Sequence, residues 1–363
     1  KIDSEKTYDI AIIGSGPAGL MAAKTLIGKG LKVVIIDERF GLGGQYFKQL
    51  AKSHSFENKS LNDYQYRRGS ELIKQVQNSD TEVKLGSTVI ASEKISNNHL
   101  NISLLKNEVM ELINAKRIIF CTGAYEIARP FPGWTSPNII TTGAAQSLLR
   151  SYRLNAGKEI VIAGNGPLNF QLAAELIDNG AKLKGVIEAS PNPFPFKTIS
   201  LIKSMFYDPN LMIQGSTYLA KLILNRVPIL FKHHVNEVLG KNPSTIKVSP
   251  ILDGGKLDIN KNVEFSADTL CVGYGFLSND ELPRLLGCKY EYKETGVSKI
   301  ICDQYGRTSL NEVFVIGDGA KIGGAQVAEY EGKITGNIIL QDFKLKKNVS
   351  KSLKYTKKVL NKK

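Results

Sequence analysis

Cysteine is scarce in this 363-residue chain and is never paired in the sequence. The four cysteines, Cys121, Cys271, Cys288 and Cys302, stand singly, with neither CxxC nor CxxxxC spacing. A dithiol that carries electrons beside a cofactor needs such a pair, so disulfide-reductase chemistry is not expected. The spacing also suits neither an iron–sulfur cluster nor structural zinc. Cys121 and Cys271 lie in apolar segments, which favours buried packing positions.

Histidine is equally scarce, and long apolar runs are missing. His233 and His234 are adjacent, but the residues around them indicate the start of a strand rather than a metal site. The sequence contains no obvious acid–base pair or activated nucleophile. No segment approaches the roughly 18 uninterrupted apolar residues of a membrane span. The polar N-terminus has no signal core, so a cytoplasmic protein is expected.

Acidic residues are fewer than basic ones, which gives a formal net charge of +14. The tail Gln341–Lys363 holds nine Lys against one acidic residue and supplies +8 of that charge. No aromatic stacking platform or recognition fold accompanies the tail, so nucleic-acid binding is not expected. A compositional bias towards Lys is the preferred explanation. Docking to an acidic partner surface is the functional alternative.

A glycine-rich turn directly follows the first apolar run of the chain, Ile10–Ile13. Gly14, Gly16 and Gly19 form a GxGxxG pattern. In a dinucleotide-binding unit the first glycine allows the turn and the second lets a pyrophosphate approach the backbone. The third glycine lets the helix pack on the strand. The helix that follows would direct its N-terminal amides at the phosphates.

The next apolar run, Leu31–Ile36, predicts a parallel strand buried on both faces. It ends in Asp37 and Glu38, at the distance where a carboxylate accepts hydrogen bonds from the adenosine ribose. The sequence does not separate the two acids. Counting from the glycines favours Asp37, whereas counting back from the later Gly43-Gly44 pair favours Glu38.

Three later segments indicate which dinucleotide binds. Gly43–Gln45 follows the acids closely, as in turns that run along a flavin pyrophosphate. One predicted strand ends in Thr122–Gly123, and another ends in Gly317–Asp318, where the carboxylate can bind ribityl hydroxyls. Gly324–Ala325 opens a helix whose dipole would stabilise negative charge on a reduced flavin. In this order and spacing, the segments resemble the FAD domain of two-dinucleotide-domain flavoproteins.

A second glycine turn, Gly164–Pro167, follows the apolar run Ile160–Ala163. Its third glycine is replaced by Asn169, so either the following helix packs less closely or its first turn is rebuilt. Glu188 ends the next apolar run at the ribose-binding position. No Arg or Lys cluster follows Glu188, so a 2′-phosphate would find no cation and NADP is disfavoured. A nucleotide-shaped domain without a ligand is the alternative.

The motifs predict an α/β flavoprotein with two dinucleotide-binding domains, in which a second Rossmann-like domain is inserted into the FAD domain. An apolar content of 42% and a charged content of 23% are ordinary for a globular protein of two or three domains. Predicted boundaries are 1–128 for the first part of the FAD domain and 129–265 for the inserted domain. Residues 266–341 complete the FAD domain, and 342–363 form the basic tail. A polar insertion is predicted near 53–62, and prolines at 191–195 interrupt the inserted domain.

Several further segments resemble the flavoprotein α subunit of heteromeric amine and amino-acid dehydrogenases. They are Gly123–Glu126, Pro132–Asn138, Thr142–Leu149, Cys271–Phe276 and Leu285–Cys288. Octopine and nopaline oxidases, dye-linked proline dehydrogenase, hydrogen cyanide synthase and heterotetrameric sarcosine oxidase contain such subunits. The resemblance spans about residues 8–340. Many relatives carry a C-terminal cysteine-rich iron–sulfur module that this sequence lacks, so any cluster is expected on another subunit.

The resemblance implies a division of labour. A β subunit of the amino-acid-oxidase type oxidises the amine on its own flavin, while this chain holds another FAD and relays electrons. A small iron–sulfur subunit, FMN at a subunit interface, and ATP or NAD in the second domain are further implications. The implied FAD-binding residues are Gly14, Gly16, Pro17, Ala18, Gly19, Asp37, Glu38, Gly43, Gly44, Gln45, Val89, Thr122, Gly123, Gly317, Asp318, Gly324 and Ala325. The second-nucleotide candidates are Gly164, Asn165, Gly166, Pro167 and Glu188.

Two alternatives remain open at the level of sequence. The chain could be a self-sufficient NADH-dependent flavin oxidoreductase, with both nucleotides bound to one polypeptide. It could also be a non-catalytic nucleotide-binding scaffold for a partner enzyme. No catalytic residue is assigned, and the amine substrate is not identified, because its pocket is expected on another chain.

Overall fold

The computed structural model describes residues 6–51, 53–54, 64–192, 209–240, 245–292 and 298–346. Most of the predicted polar insertion, the prolines at 193 and 195, and the tail beyond 346 lie outside the described residues. Contacts divide the chain into two units. Unit 1 comprises Lys1–Tyr125 and Leu277–Lys363, and unit 2 comprises Glu126–Phe276.

Along the sequence, the elements form a first segment in unit 1, a second segment in unit 2, and a third segment in which the chain returns to unit 1. The first segment contains β1 (Lys6–Ile13), α1 (Pro17–Leu26), β2 (Val33–Asp37), α2 (Tyr64–Gln77), β3 (Glu82–Leu85), β4 (Thr88–Ser96), β5 (His99–Lys106), β6 (Val109–Phe120) and β7 (Ala124–Glu126). The second contains β8 (Ile139–Thr141), α3 (Thr142–Tyr152), β9 (Glu159–Gly164), α4 (Pro167–Asp178), β10 (Lys182–Glu188), α5 (Pro209–Leu224), β11 (Ile229–Phe231), β12 (His233–Leu239), β13 (Thr245–Pro250), β14 (Val263–Phe265) and β15 (Thr269–Gly273). The return contains β16 (Phe276–Ser278), α6 (Glu281–Leu285), β17 (Tyr290–Tyr292), β18 (Ser298–Ile300), β19 (Val313–Val315), a 3₁₀ turn (Gly317–Gly319) and α7 (Ala325–Asp342).

Unit 1 is built on a parallel sheet with the strand order β3-β2-β1-β6-β19. In β1, Ile10 and Ile12 face one core cluster while Ala11 and Ile13 face another, on the opposite side of the sheet. Burial on both faces explains why this strand is a continuous apolar run rather than an alternating one. The amino-terminal half of β6 also pairs with β5, which pairs with β4, in an antiparallel meander.

Helices α1 and α7 pack closely on one another over one face of this sheet. A Cβ added at Gly332 would lie 2.3 Å from the Ala18 carbonyl oxygen, and one at Gly336 would lie 2.8 Å from Thr25 Cβ. Small residues therefore set the close approach of the two helices. This contact fixes α7, which returns from the far end of the sequence, against the helix that follows the first glycine turn.

Unit 2 repeats the plan with the parallel strand order β11-β10-β9-β15-β8. A three-stranded antiparallel meander, β12-β13-β14, accompanies it. Cys271 is fully buried in β15, as its apolar surroundings predicted, and Cys121 is buried just beyond β6. Both units thus combine a parallel sheet with a short meander, which is the duplicated Rossmann-like architecture expected from the sequence.

The structure differs from the predicted boundaries at the place where the chain leaves the inserted domain and re-enters the FAD domain. Residues 266–276 were assigned to the second part of the FAD domain, but β15 pairs with β9 and β8 in the sheet of unit 2. The return therefore follows Phe276 rather than residue 265. Within the described ranges, no helix has the length and apolarity that crossing a bilayer would require.

Candidate functional site

The first glycine turn joins β1 to α1, and its three glycines meet different surroundings. Gly14 has φ +100°, and a Cβ there would lie 2.3 Å from the Cys121 carbonyl oxygen. A Cβ at Gly19 would lie 2.0 Å from the Gly14 carbonyl oxygen. A Cβ at Gly16 would meet nothing within 4 Å. The protein's own packing therefore requires Gly14 and Gly19, whereas Gly16 borders open space.

The two acids at the end of β2 have different environments. Asp37 is 8% exposed, and its Oδ2 accepts hydrogen bonds from the Ser15 amide at 2.8 Å and the Ser15 hydroxyl at 2.5 Å. Its Oδ1 accepts from the Arg39 amide at 2.9 Å. Glu38 is exposed. Both Asp37 oxygens are thus engaged with the protein, and the carboxylate beside it is directed to solvent.

The turn after these acids packs directly on the first glycine turn. The Gly43 amide donates a hydrogen bond to the Ser15 carbonyl oxygen at 3.0 Å. A Cβ at Gly44 would lie only 2.7 Å from Gly16 Cα. Gln45 is exposed beside them. This contact brings two segments that are distant in sequence to the same edge of the sheet.

The turn after β6 is tied to the returning chain within unit 1. The Thr122 hydroxyl donates to the Asn279 carbonyl oxygen at 2.5 Å, and the Asn279 amide donates to the Gly123 carbonyl oxygen at 2.9 Å. A Cβ at Gly123 would meet nothing within 4 Å. Sequence reasoning did not find Asn279, because it takes part only through its backbone.

The turn after β19 leads into the N-terminus of α7. Asp318 Oδ1 accepts hydrogen bonds from the amides of Gly323, at 2.9 Å, and Gly324, at 3.0 Å. Gly324 is the N-cap of α7, and a Cβ there would meet nothing within 4 Å. The first turn of α7 holds no acidic residue. The start of α7 therefore borders open space at Gly324, where the helix dipole would favour negative charge.

Glu331 on α7 is a site residue that the sequence interpretation missed. Its Oε2 accepts a hydrogen bond from the Gly317 amide at 2.6 Å. Burial, followed by the nearby Asp318 charge, raises the pKa of the Glu331 carboxyl to about 7, although the Gly317 amide and Lys321 oppose the shift. The signal in the sequence was an acid three residues after the buried Ala328 and three before the buried Ile334.

The remaining predicted residues lie around these turns. Pro17 opens α1, Ala18 is buried against α7, and Ala325 is the first residue of α7. Val89 lies near the start of β4, half-buried against the core cluster on one face of the sheet. A separate cavity of about 530 Å³ is lined by Lys24, Arg68 and Lys333 among others, and none of the predicted FAD-binding residues lines it.

The turns of unit 1 fit a bound dinucleotide. Gly16, Gly123 and Gly324 share the property that a Cβ on each would project into open space. The strands β1, β6 and β19 are parallel neighbours, so the turns that follow them lie at one edge of the sheet. Ligands of open α/β sheets bind at this carboxyl edge, with phosphates at helix N-termini. The backbone at these three glycines thus forms an open cradle, and a side chain on any of them would occupy space that a ligand could fill.

The second glycine turn accommodates Asn169 without leaving it unpaired. Asn169 is 2% exposed, its Nδ2 donates to the Gly273 carbonyl oxygen at 3.0 Å, and its Oδ1 accepts from the Thr142 hydroxyl at 2.9 Å. Its amide donates to the Gly166 carbonyl oxygen at 3.3 Å, which tightens the first turn of α4. Of the two expected outcomes, the structure therefore has the rebuilt first turn, and the side chain links three elements of unit 2.

Glu188 in unit 2 occupies the same kind of position as Asp37 in unit 1. It is 3% exposed, its Oε2 accepts from the Gly166 amide at 3.2 Å, and its Oε1 accepts from the Ser190 amide at 2.8 Å. The Ser190 hydroxyl donates to Asn165 Oδ1 at 2.6 Å. The residue after Glu188 is Ala189, so no exposed carboxylate follows as Glu38 follows Asp37.

Residues 8–332 match the model of the pyridine nucleotide-disulphide oxidoreductase family. The chain belongs to this family, and it is a flavin oxidoreductase with the two-domain Rossmann-like fold. The predicted fold class is thereby confirmed.

The chain is also similar to components of larger enzymes. It is 27% identical over 351 residues to an opine oxidase subunit of Agrobacterium tumefaciens strain Ach5, covering 94% of this chain and 67% of that protein. It is 29% identical over 336 residues to hydrogen cyanide synthase subunit HcnB of Pseudomonas protegens, covering 91% and 69%. The chain therefore spans about two thirds of the length of these curated relatives. These matches confirm the predicted resemblance.

A solved structure shares the fold over nearly the whole chain. The L-proline dehydrogenase from P. horikoshii superposes with a TM-score of 0.72 and 19% sequence identity, covering 99% of this chain and 60% of that one. At this identity the likeness concerns the fold alone. It agrees with the duplicated α/β architecture described above.

Proposed function

We propose that this chain is the FAD-holding, electron-relay subunit of a heteromeric dehydrogenase or oxidase that acts on an amine or amino acid. The observation that carries the proposal is the open backbone cradle of Gly16, Gly123 and Gly324. The relatives named as subunits of opine oxidase and hydrogen cyanide synthase support the heteromeric assembly. The substrate-oxidising partner would be a flavin-dependent β subunit of the amino-acid-oxidase type.

Glu38, rather than Asp37, is the proposed ribose acceptor. Asp37 already uses both oxygens to hold Ser15 and Arg39, so it positions the glycine turn instead of contacting the cofactor. Glu38 is the exposed carboxylate at the same strand end. The proposal thus chooses between two acids that counting along the sequence did not separate.

The other contacts follow from the ends of the elements. The pyrophosphate would lie against Gly16 and Gly44, at the N-terminus of α1. Asp318 Oδ1 holds the loop before α7, and its Oδ2 is the candidate acceptor for ribityl hydroxyls. FAD, when bound, supplies an acceptor that takes two electrons and releases them singly or together. The amides at the start of α7 would stabilise negative charge developing at its pyrimidine end.

We further propose that the second glycine turn is mainly structural. Its carboxylate, Glu188, is engaged by Gly166 and Ser190, and Ala189 stands where an exposed ribose acceptor would be needed. An NAD or ATP bound there would lack the acidic contact that Glu38 provides in unit 1. Electrons would then come from a partner chain rather than from a nicotinamide in unit 2.

The alternative function is a self-sufficient NADH-dependent oxidoreductase, because the family is named for enzymes that use a pyridine nucleotide. The test is to purify the native complex, count flavins per subunit, and reduce it anaerobically with NADH or with opines, proline, glycine and sarcosine in turn. Bleaching by one of the amines, absent with NADH, is the expected result. Rapid bleaching of the isolated chain by NADH alone would replace the relay function with a self-sufficient NADH-dependent oxidoreductase.

A matched pair of variants sharpens the test. Gly16→Val should remove flavin from this chain and abolish electron delivery to an artificial acceptor, with the partner subunit still bound. Glu188→Gln should leave both the flavin content and the electron delivery unchanged. Unchanged amine-dependent turnover with the artificial acceptor in the Gly16→Val complex would instead favour a non-catalytic scaffold.

A further inference from the structure

Two cysteines that are separate in sequence lie just beyond the paired ends of β17 and β18 in unit 1, at the same core cluster. Strands β17 and β18 are antiparallel, with Tyr290 opposite Ile300. The Ile301 amide donates a hydrogen bond to the Lys289 carbonyl oxygen at 2.9 Å, which extends this register by one pair on one side, while the Lys289 amide donates to Ser309 Oγ at 3.0 Å. Continuing the same register by one more residue, beyond the ends of both strands, would bring Cys288 opposite Cys302.

The type of pair favours close approach. In an antiparallel ladder, hydrogen-bonded and non-hydrogen-bonded pairs alternate, so a bonded Lys289–Ile301 pair makes Cys288–Cys302 a non-hydrogen-bonded one. Such pairs have Cα atoms about 4.5 Å apart, with their side chains on the same face. A disulfide needs Cα atoms roughly 4.4–6.8 Å apart. The backbone register therefore satisfies the first requirement for a cross-link.

Burial confirms that the two thiols share a face. Cys288 belongs to the core cluster that also contains Ile300, and Cys302 packs against the same cluster. Cys288 is 6% exposed, whereas Cys302 is partly exposed, and both are free thiols in the structure. Cys288 Sγ lies 3.5 Å from the Thr308 hydroxyl oxygen. The remaining cysteines, Cys121 and Cys271, belong to other core clusters.

We propose that Cys288 and Cys302 form a reversible cross-strand disulfide in exchange with a small-molecule disulfide such as oxidised glutathione. The Cys302 thiolate, which is more accessible, attacks one sulfur of the oxidant and releases one thiol. The Cys288 thiolate then attacks the Cys302 sulfur of the mixed disulfide and releases the second thiol. Both cysteine protons pass to the two leaving thiolates, so one disulfide is reduced as one is formed. This inference does not depend on the proposed function.

Burial of both thiols, with nearby negative charges adding to it at Cys302, makes the exchange slow near neutral pH. Burial raises the pKa of Cys302 to about 12, and Cys288, Asp303 and Glu331 add to the shift while Lys299 opposes it. Burial also raises the pKa of Cys288, which Thr308 partly offsets. Since the thiolate is the attacking species, the rate of cross-linking should rise roughly tenfold per pH unit between pH 7 and 9.

The test uses the full-length, FAD-loaded protein, first reduced and then incubated with excess oxidised glutathione at pH 8.5. The expected result is that two of the four thiols are lost, with a Cys288–Cys302 cross-linked peptide in non-reducing mass mapping. Cys288→Ser should accumulate glutathione on Cys302 instead. Cys302→Ser should react slowly, and Cys271→Ser should cross-link like the unmodified chain.

Two results would overturn the proposal. One is stable glutathione on Cys302 of the unmodified chain with no cross-link. The other is retention of all thiols in the folded protein under conditions where the urea-unfolded chain reacts fully. Flavin absorbance, recorded in every sample, verifies that each variant is folded in unit 1.

Discussion

Asp37 accepts hydrogen bonds on one oxygen from both the backbone amide and the hydroxyl of Ser15, a residue 22 positions earlier in the chain. The contact ties the end of β2 to the glycine turn and satisfies a buried acid. The two neighbouring acids therefore differ, since Asp37 is bonded within the protein and Glu38 remains exposed. Hydrogen bonds to a charged group of this kind are worth about 1.5–3 kcal/mol.

The first prediction compares Asp37→Asn with Glu38→Gln. Asp37→Asn should lower the unfolding free energy of the flavin-free chain by about 2 kcal/mol, because an amide NH₂ would replace an acceptor opposite Ser15 or Arg39. Glu38→Gln should leave that stability unchanged and weaken FAD binding about tenfold, or roughly 1.4 kcal/mol. Urea unfolding and flavin-fluorescence titration measure the two effects. The reverse pattern would return the ribose contact to Asp37.

The second prediction concerns Gly16 and Gly19. Gly16 has φ −71°, which any residue adopts, and a Cβ there meets no atom, so Gly16→Val should change flavin-free stability by less than about 0.5 kcal/mol. The branched side chain would occupy the pyrophosphate position, and FAD affinity should fall by about 100-fold or more. Gly19→Ala is the matched control. Its Cβ would lie 2.0 Å from the Gly14 carbonyl oxygen, so it should cost about 3 kcal/mol of stability.

Tight FAD binding by Gly16→Val would show that the pyrophosphate does not pass over this residue. Loss of stability in the same variant would show that the open space is filled in solution. Thermal unfolding of the flavin-free chain and flavin titration separate these outcomes.

The glycine turn was predictable because its constraints are mainly local, although Gly14 also lies against the Cys121 carbonyl oxygen. The left-handed backbone of Gly14 and the close helix–strand contact at Gly19 arise within a few residues of one another, and the flanking strands are apolar runs. The roles of Asp37 and Glu38 were not predictable. Asp37 ends β2 and Glu38 lies just beyond it, so which of them meets Ser15 depends on the contact between the end of β2 and the glycine turn, which spacing along the chain does not give.

Long-range contacts explain the other differences. Asn169 fits because Thr142 and Gly273, from two other elements, supply its partners. The boundary after the inserted domain was misplaced because β15 lies between β9 and β8 in the sheet of unit 2, a pairing with strands that are more than 100 residues earlier in the chain. The Cys288–Cys302 juxtaposition likewise follows from hairpin register, not from spacing along the chain.

The third prediction is a pH dependence caused by Glu331. Its folded-state pKa of about 7 lies above the ordinary value of 4.5, so between these values the folded state holds a proton that the unfolded chain has lost. The stabilisation is complete below pH 4.5 and is lost as the pH rises through 7. At about 1.4 kcal/mol per pKa unit, the loss amounts to about 3 kcal/mol.

Glu331→Gln stays neutral at every pH and should remove that part of the dependence. We expect the unfolding free energy of the flavin-free chain, relative to the variant, to fall between pH 5 and 7.5. Urea titrations at half-unit intervals measure the difference, and Glu93→Gln, at an exposed acid of unit 1, serves as the acid-to-amide control. A difference that is flat with pH would mean that Glu331 ionises normally in the folded protein.

The fourth prediction tests Asn169 as a structural link in unit 2. Asn169→Ala removes its hydrogen bonds to Gly273 and Thr142 and leaves a small cavity, so unit 2 should lose about 2–3 kcal/mol of stability. The single tryptophan, Trp134, lies in unit 2, so its fluorescence reports unfolding there while flavin absorbance reports unit 1. Because both partners share one bond, Asn169→Ala with Thr142→Val should cost less than the sum of the single changes. Weakened flavin binding with an unchanged tryptophan transition would contradict a purely structural role and would make the second glycine turn a functional partner of the first.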